Sequence, residues 1–390
     1  MRLFPNQIKA LEEVLDLVGQ GAVLDSELKK KVDFHKKWGA KDRRNFYQAA
    51  YDIVRYYELL EYQGKQEDKG VIGTYVSNMT EHALDYETLK QNADLEEHIR
   101  LSLPKSLWDI YQKEDPLCSE NLKAMQQPGN IYLRINTSLI SVNKFAQKLT
   151  EQEIPHEVIS EIKIDQRTFK VNCIRLINRT QTHRQFFQEN QSYFEIQDIG
   201  SQLIGEFIDF SKANTIIEAC AGNGGKTTQI IDKTRQVNPL HLACDSERKK
   251  LEHLRLRIDK WKDHKVVTDM AKDKVLEKYQ GMADILCMDV PCTGSGTLKR
   301  QPDIKYRITL ENLDEKIALQ RELFHLFDKA LKPGGQLLYS TCSLFQSENQ
   351  NQIEYITQHG YELEDQLLLE PRNYEGDGFF MARLRKIANN

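Results

Sequence analysis

The stretch Thr215-Ile216-Ile217-Glu218-Ala219-Cys220-Ala221-Gly222-Asn223-Gly224-Gly225-Lys226-Thr227-Thr228 carries the reading on which the fold turns. Its opening residues are β-branched and apolar up to a carboxylate, the pattern of a short strand buried on both faces. A glycine-rich turn follows, and beyond it the sequence resumes as a helix. Glycine lets the backbone approach a ligand closely, and a helix N-terminus adds free N–H groups and a partial positive charge. Two phosphate-binding patterns fail here. Gly225-Lys226-Thr227 matches the end of a P-loop, but the leading glycine would fall at Cys220. Gly222 and Gly224 open a dinucleotide fingerprint, but its third glycine would fall at Thr227.

Downstream, residues 241–244, 265–267, 283–288 and 336–340 read as further strands, with helical periodicity over 248–261 and 315–331. Strand alternating with helix predicts an α/β fold, a doubly wound Rossmann-like sheet of parallel strands with helices on both faces. The second strand ends in Asp245, about 20 residues after the first, where such folds place an acid for ribose hydroxyls. The third ends near Asp269 and the fourth in Asp289. Any one of these acids taken alone also fits a helix cap, Asp269 more readily than Asp245. Together they line the carboxyl edge of the sheet, where open α/β folds bind ligands. With Cys220, Ala221, Gly222, Asn223, Gly224, Gly225 and Lys226 they form the candidate site for a nucleoside-bearing cofactor.

The chain of 390 residues has room for more than this domain. Residues 1–100 read as helices, with Ile8, Leu11, Leu15 and Val18 on one stripe and Phe46, Ala50, Ile53, Val54 and Tyr57 on another. Residues 125–190 read as a small α+β unit of the ferredoxin-like sort, with strands at 131–135, 156–159 and 171–174 and a helix at 142–149. Residues 191–390 form the large domain. Net charge is −4, which excludes a blanket polycation, yet Lys163, Arg167, Lys170, Arg175, Arg179 and Arg184 cluster against Asp165 alone. Such a strip grips phosphates or is simply a solvated strand face. Seven cysteines, with no CxxC pair and no zinc spacing, point to free thiols in a reducing cytoplasm and to no metal. No apolar run suits a membrane helix, and the first residues lack a secretory signal.

Two of those thiols sit in polar, strand-terminal settings. Asp289-Val290-Pro291-Cys292-Thr293-Gly294-Ser295-Gly296-Thr297-Leu298 follows the fourth strand, and Tyr339-Ser340-Thr341-Cys342-Ser343 follows the fifth. A buried cysteine is ordinarily a small packing residue, but glycine, serine and threonine neighbours favour chemistry, since a nucleophilic thiol needs nearby donors. With the segments at 196–203, 220–226, 302–303 and 377–382, these motifs resemble the Sun-type RNA cytosine-5 methyltransferase family, in family order over nearly all of residues 191–386. Weaker likeness continues upstream. Leu133-Arg134-Ile135-Asn136 resembles the family's small RNA-binding domain. Residues 41–55 resemble the antitermination-factor-like helical domain of some bacterial ribosomal-RNA members.

The resemblance implies S-adenosylmethionine as cofactor, held by residues 220–226 with Asp245, Asp269 and Asp289. It implies that Cys342 adds to carbon 6 of cytosine and that Cys292 assists release, with Asp289 placed to orient the base as well. Gly222-Asn223 departs from the Ala-Pro common in the family and makes the turn more flexible. Ribosomal RNA is the favoured partner and transfer RNA the runner-up. A base must leave its stack to react, which favours loops or single strands. No membrane contact or obligate protein partner is expected. A DNA cytosine methyltransferase would need Glu-Asn-Val after the Pro-Cys cysteine, whereas Glu348-Asn349-Gln350 follows the Thr-Cys motif. A non-catalytic RNA-binding or ribosome-assembly protein would be expected to have lost Cys342 or degraded the strand end at Asp289, and both are intact.

Overall fold

Eleven strands among the described residues build two sheets: β1 Ile131–Ile135, β2 His156–Ile164, β3 Arg167–Leu176, β4 Phe194–Ile196, β5 Thr215–Glu218, β6 Leu240–Asp245, β7 Lys265–Met270, β8 Ala283–Asp289, β9 Leu331–Thr341, β10 Tyr361–Leu369 and β11 Phe379–Lys386. The computed structural model describes residues 3–80, 95–177, 183–211, 213–259, 264–272 and 276–388. It divides into two units, Met1–Pro128 with Thr293–Leu313, and Gly129–Cys292 with Asp314–Asn390.

In the second unit the large sheet runs β10-β11-β9-β8-β5-β6-β7. The strands from β9 to β7 are parallel, while β11 pairs antiparallel with both β9 and β10. The sheet is therefore mixed, not parallel throughout. An antiparallel edge needs no crossover helix, so the chain turns back after β10 without one. Period-two alternation divides the core: Ile216, Ile285 and Leu338 pack on one face, and Ile217, Leu286, Leu337, Phe324 and Phe327 on the other. The helix expected over 315–331 is Leu310–Asp328; Leu331 already pairs with Ala283. That over 248–261 is Arg248–Ile258, and Trp261 lies outside the described residues.

The small sheet has order β2-β3-β1-β4, all antiparallel, with helices Val142–Glu151 and Arg184–Glu189 in a β-α-β-β-α-β sequence. Both faces are packed, apart from the exposed end at the β2–β3 hairpin. Leu133, Ile135 and Ile174 pack under Phe145 and Leu149, while Tyr132, Ile162 and Cys173 share a core with Ile216, Ile285 and Leu338 of the large sheet. Arg134, with 6% exposure, locks the junction through Asp232 (2.8 Å) and Thr228 Oγ1 (2.7 Å). The basic stretch is partly spent inside the chain: Arg167 pairs with Asp365, and Arg175 with Glu157 and Glu375. Arg179 lies outside the described residues.

The first unit is helical. Leu11, Val18, Phe46, Ala50, Ile53 and Val54 are buried in one core, as their spacing predicts, together with Val14, which lies outside the predicted stripe, while Ile8, Leu15 and Tyr57 are half-buried. Its helices also hold residues 293–313, the segment directly after Cys292. Tyr111 Oη donates to the Ser295 carbonyl (2.5 Å), and Arg55 donates to the carbonyls of Leu298 (3.3 Å) and Lys299 (2.9 Å). Buried Lys305 reaches Glu58 (2.7 Å) and the Ser102 carbonyl (2.8 Å).

Candidate active site

The strand order brings the sequence motifs together. β5, β8 and β9 are parallel neighbours, with Glu218 opposite Cys287 and Asp289 opposite Ser340. The turns after them therefore leave one edge of the sheet side by side. The chain order also reverses here, since β6 and β7 lie on one side of β5 and β8 and β9 on the other. A crevice at such a switch point is the ligand site of open α/β sheets.

In the glycine turn, Gly222 (φ +56°) and Gly224 (φ +88°) both take left-handed backbone. A Cβ on Gly224 would sit 3.0 Å from Leu254, whereas one on Gly222 or Gly225 would meet open space. The Gly222 N–H donates to Asp245 Oδ2 (3.0 Å), and the Glu247 N–H donates to Oδ1 (2.9 Å). The Ala221 N–H donates to the Cys244 carbonyl (2.8 Å), tying the turn to β6. Asp269, at the end of β7, lies on the strand beyond and accepts from the Met270 N–H (2.8 Å). Lys226 and Asp289 form an ion pair across the crevice, and Ser340 Oγ donates to the other Asp289 oxygen (3.0 Å). The Lys226 ammonium also lies 5.4 Å from the centre of the Phe379 ring. Cys220 is held as a neutral thiol: burial first, then the Asp289 and Asp245 charges, push it well up.

Cys292 and Cys342 converge, with their sulfurs 3.3 Å apart and both side chains half-buried. The hydrogen bond to Cys342 and then burial push the Cys292 thiol well above the ordinary range, with the Glu348 charge adding to the effect. Cys292 is thereby kept protonated beside its partner. Such a pair offers one sulfur as nucleophile and the other as proton donor. Ser340, Gln320, Glu348 and Asn349 shape this site without having been singled out for it from sequence. In the sequence Glu348 and Asn349 show only that the Glu-Asn-Val motif of a DNA enzyme is absent after Cys292. Among the described residues no group of three or more His, Cys, Asp or Glu side chains could hold a metal ion, and no helix is long and apolar enough to cross a membrane.

Residues 206–385 match the family model described as 16S rRNA methyltransferase RsmB/F. Over these residues, just under half of the chain, it is similar to that family. A ribosomal RNA small subunit methyltransferase B of Pasteurella multocida is 26% identical over 321 residues, 78% of this chain and 69% of that protein. Its counterpart in Xanthomonas campestris pv. campestris is 30% identical over 215 residues, 51% of this chain and only 48% of that protein. In fold, the crystal structure of PH0851 superposes with a TM-score of 0.77 at 19% identity, covering 99% of this chain and all of that one. RsmB/F proteins are S-adenosylmethionine-dependent methyltransferases, and the residues here suit that cofactor. Open space lies over Gly222 and Gly225, a ten-residue helix starts at Gly225, and acids end β6 and β8 and stand next to last in β7. The N–H groups and the carboxylates match the carboxylate and ribose hydroxyls of such a ligand.

Proposed function

We propose that this protein methylates carbon 5 of a cytosine in ribosomal RNA through a covalent bond between Cys342 and carbon 6 of the base. The sulfur pair at 3.3 Å, set beside the glycine turn, carries this reading. Carbon 5 of cytosine is a weak nucleophile until a group adds at carbon 6. As its thiolate, Cys342 makes that addition, forming the S–C6 bond while the C5–C6 π pair moves onto the ring and enriches carbon 5. When bound, S-adenosylmethionine supplies an electrophilic methyl group to that carbon. Loss of the carbon-5 proton then restores the C5–C6 double bond, and the S–C6 bond breaks with its pair returning to Cys342. Cys292, kept as a thiol by its surroundings, donates its proton to the departing sulfur. Residues 220–226 with Asp245, Asp269 and Asp289 hold the cofactor, Lys226 keeping Asp289 oriented. The helical residues 1–100 and the small α+β unit 125–190 contact the RNA. The small sheet has both faces packed, so those contacts come from its loops and the β2–β3 hairpin, where Lys163 and Lys170 are exposed.

Small-subunit ribosomal RNA is the first choice because the relatives are named for it, and the same chemistry on transfer RNA is the runner-up. Transcripts of both carrying tritium at carbon 5 of cytosine test the reading. The wild-type protein should release tritium to water from ribosomal RNA in step with methyl incorporation, and Cys342→Ala should release none. Methylation by Cys342→Ala, or methyl incorporation without tritium release, would refute it. Release from transfer RNA alone would reassign the substrate.

A further inference from the structure

Between the two cysteine turns lies a buried polar cluster that the chemistry above does not use. Gln320, on the helix Leu310–Asp328, is 1% exposed. Its amide nitrogen donates to the carbonyl of Pro291, the residue before Cys292 (3.1 Å), and to Glu348 Oε1 (3.1 Å). Its amide oxygen accepts from Tyr339 Oη (3.1 Å), which also reaches the Glu348 carbonyl (2.8 Å). Asn349, the next residue, holds the other turn: it accepts from Thr341 Oγ1 (2.6 Å) and donates to the Ser343 carbonyl (2.9 Å), on either side of Cys342. Tyr339, Glu348 and Asn349 are each at most 1% exposed. Leaving such polar groups in a core is costly unless they are paired, and a paired network has one geometry. One dipeptide, Glu348-Asn349, is thus tied to the Pro-Cys turn through Gln320 and directly to the Thr-Cys turn through Asn349.

We propose that Gln320, Tyr339, Glu348 and Asn349 are positioning residues that set the spacing of the two sulfurs and thereby the rate at which the RNA adduct is released. This rests on the cysteine roles proposed above. Cys342 attacks from its own strand end, so a slack Pro-Cys turn spares the addition and slows only the return of the proton. Small misplacements of a reacting group cost up to about 100-fold.

The test uses the full chain, S-adenosylmethionine and the ribosomal RNA transcript, with the denaturant-stable protein–RNA adduct and the turnover rate both measured. Gln320→Met keeps the volume and removes every hydrogen bond. It should form adduct within about threefold of the wild-type rate but turn over roughly 10- to 100-fold more slowly, so that adduct accumulates although Cys292 is present. Glu348→Gln, which keeps an acceptor for Gln320, should restore near-normal turnover where Glu348→Ala does not. A purely structural defect would lower formation and release together and leave no adduct. That result, or equal losses in Glu348→Gln and Glu348→Ala, overturns the proposal. Should Gln320→Met fail to fold, Tyr339→Phe decides in its place: adduct accumulation supports the clamp and its absence overturns it. Cys292→Ala runs alongside. Adduct in that variant but not in the clamp variants sinks this inference alone, whereas adduct in neither, with wild-type methylation intact, sinks the cysteine roles themselves.

Discussion

At the scale of single residues, the site depends on two chemically identical side chains in unequal settings. Cys292 is held protonated first by its hydrogen bond to Cys342 and second by burial. Removing the partner takes away the larger cause and leaves the smaller. In Cys342→Ala the pH at which Cys292 becomes half-reactive toward an alkylating agent should therefore fall, while staying above the ordinary thiol value of about 8.5. Peptide-resolved alkylation from pH 7 to about 11 reads this directly. An unchanged or higher midpoint would show that the neighbour does not govern the proton. Both cysteines were legible in the sequence because each follows a strand and sits among small polar residues. Their common edge of the sheet follows from the same pattern, since both end parallel strands, but the 3.3 Å approach of their sulfurs does not. Ser340 and Gln320 were not legible, because nothing in the local sequence of either reports a partner 51 or 29 residues away.

At the scale of elements, the glycine turn and the parallel strands followed from local pattern, and the two antiparallel strands did not. Tyr361–Leu369 is rich in Leu, Glu and Gln, good helix formers that carry no strand signal of their own. It is a strand because β11 pairs along its whole length, a tertiary effect. Phe379–Ala382 reads in the sequence as part of a motif rather than as a strand, although it lies between β10 and β9 and pairs with both. The segment after Cys292 is another element shaped by distant residues. Lys305, 3% exposed, is anchored on Glu58 and the Ser102 carbonyl. Burial holds its ammonium below the ordinary lysine range while Glu58 opposes that shift. Lys305→Met strands Glu58 without its cation, and breaking a buried pair from one side costs about 3–5 kcal/mol. A clearly lowered melting temperature of the helical unit is expected, with partial recovery in the double variant Lys305→Met/Glu58→Leu. An unchanged melt for the single variant would show that the pair contributes nothing net.

At the scale of the whole molecule, the division of labour read from sequence was a catalytic α/β domain preceded by a small sheet and a helical region. The observed sheets and helices follow that order. What sequence did not convey is how the small sheet is used. Its residues alternate like those of a half-exposed sheet, yet one face shares a core with the large sheet, and two of its arginines are neutralised within the chain. Pattern reports that a face is apolar without naming its cover, and charge counts report a cation without its partner. RNA affinity in this account comes from loops and exposed lysines, and specificity from bringing one cytosine to the sulfur pair.

The central claim is that Cys342 bonds to the base and Cys292 releases it. The most direct test incubates Cys292→Ala with S-adenosylmethionine and small-subunit ribosomal RNA and resolves the product under denaturing conditions. The account predicts a covalent protein–RNA band whose RNA carries one methylated cytosine at the crosslink, and its loss in Cys292→Ala/Cys342→Ala. A band that persists without Cys342, or its absence while the wild-type protein methylates the same RNA, would contradict it.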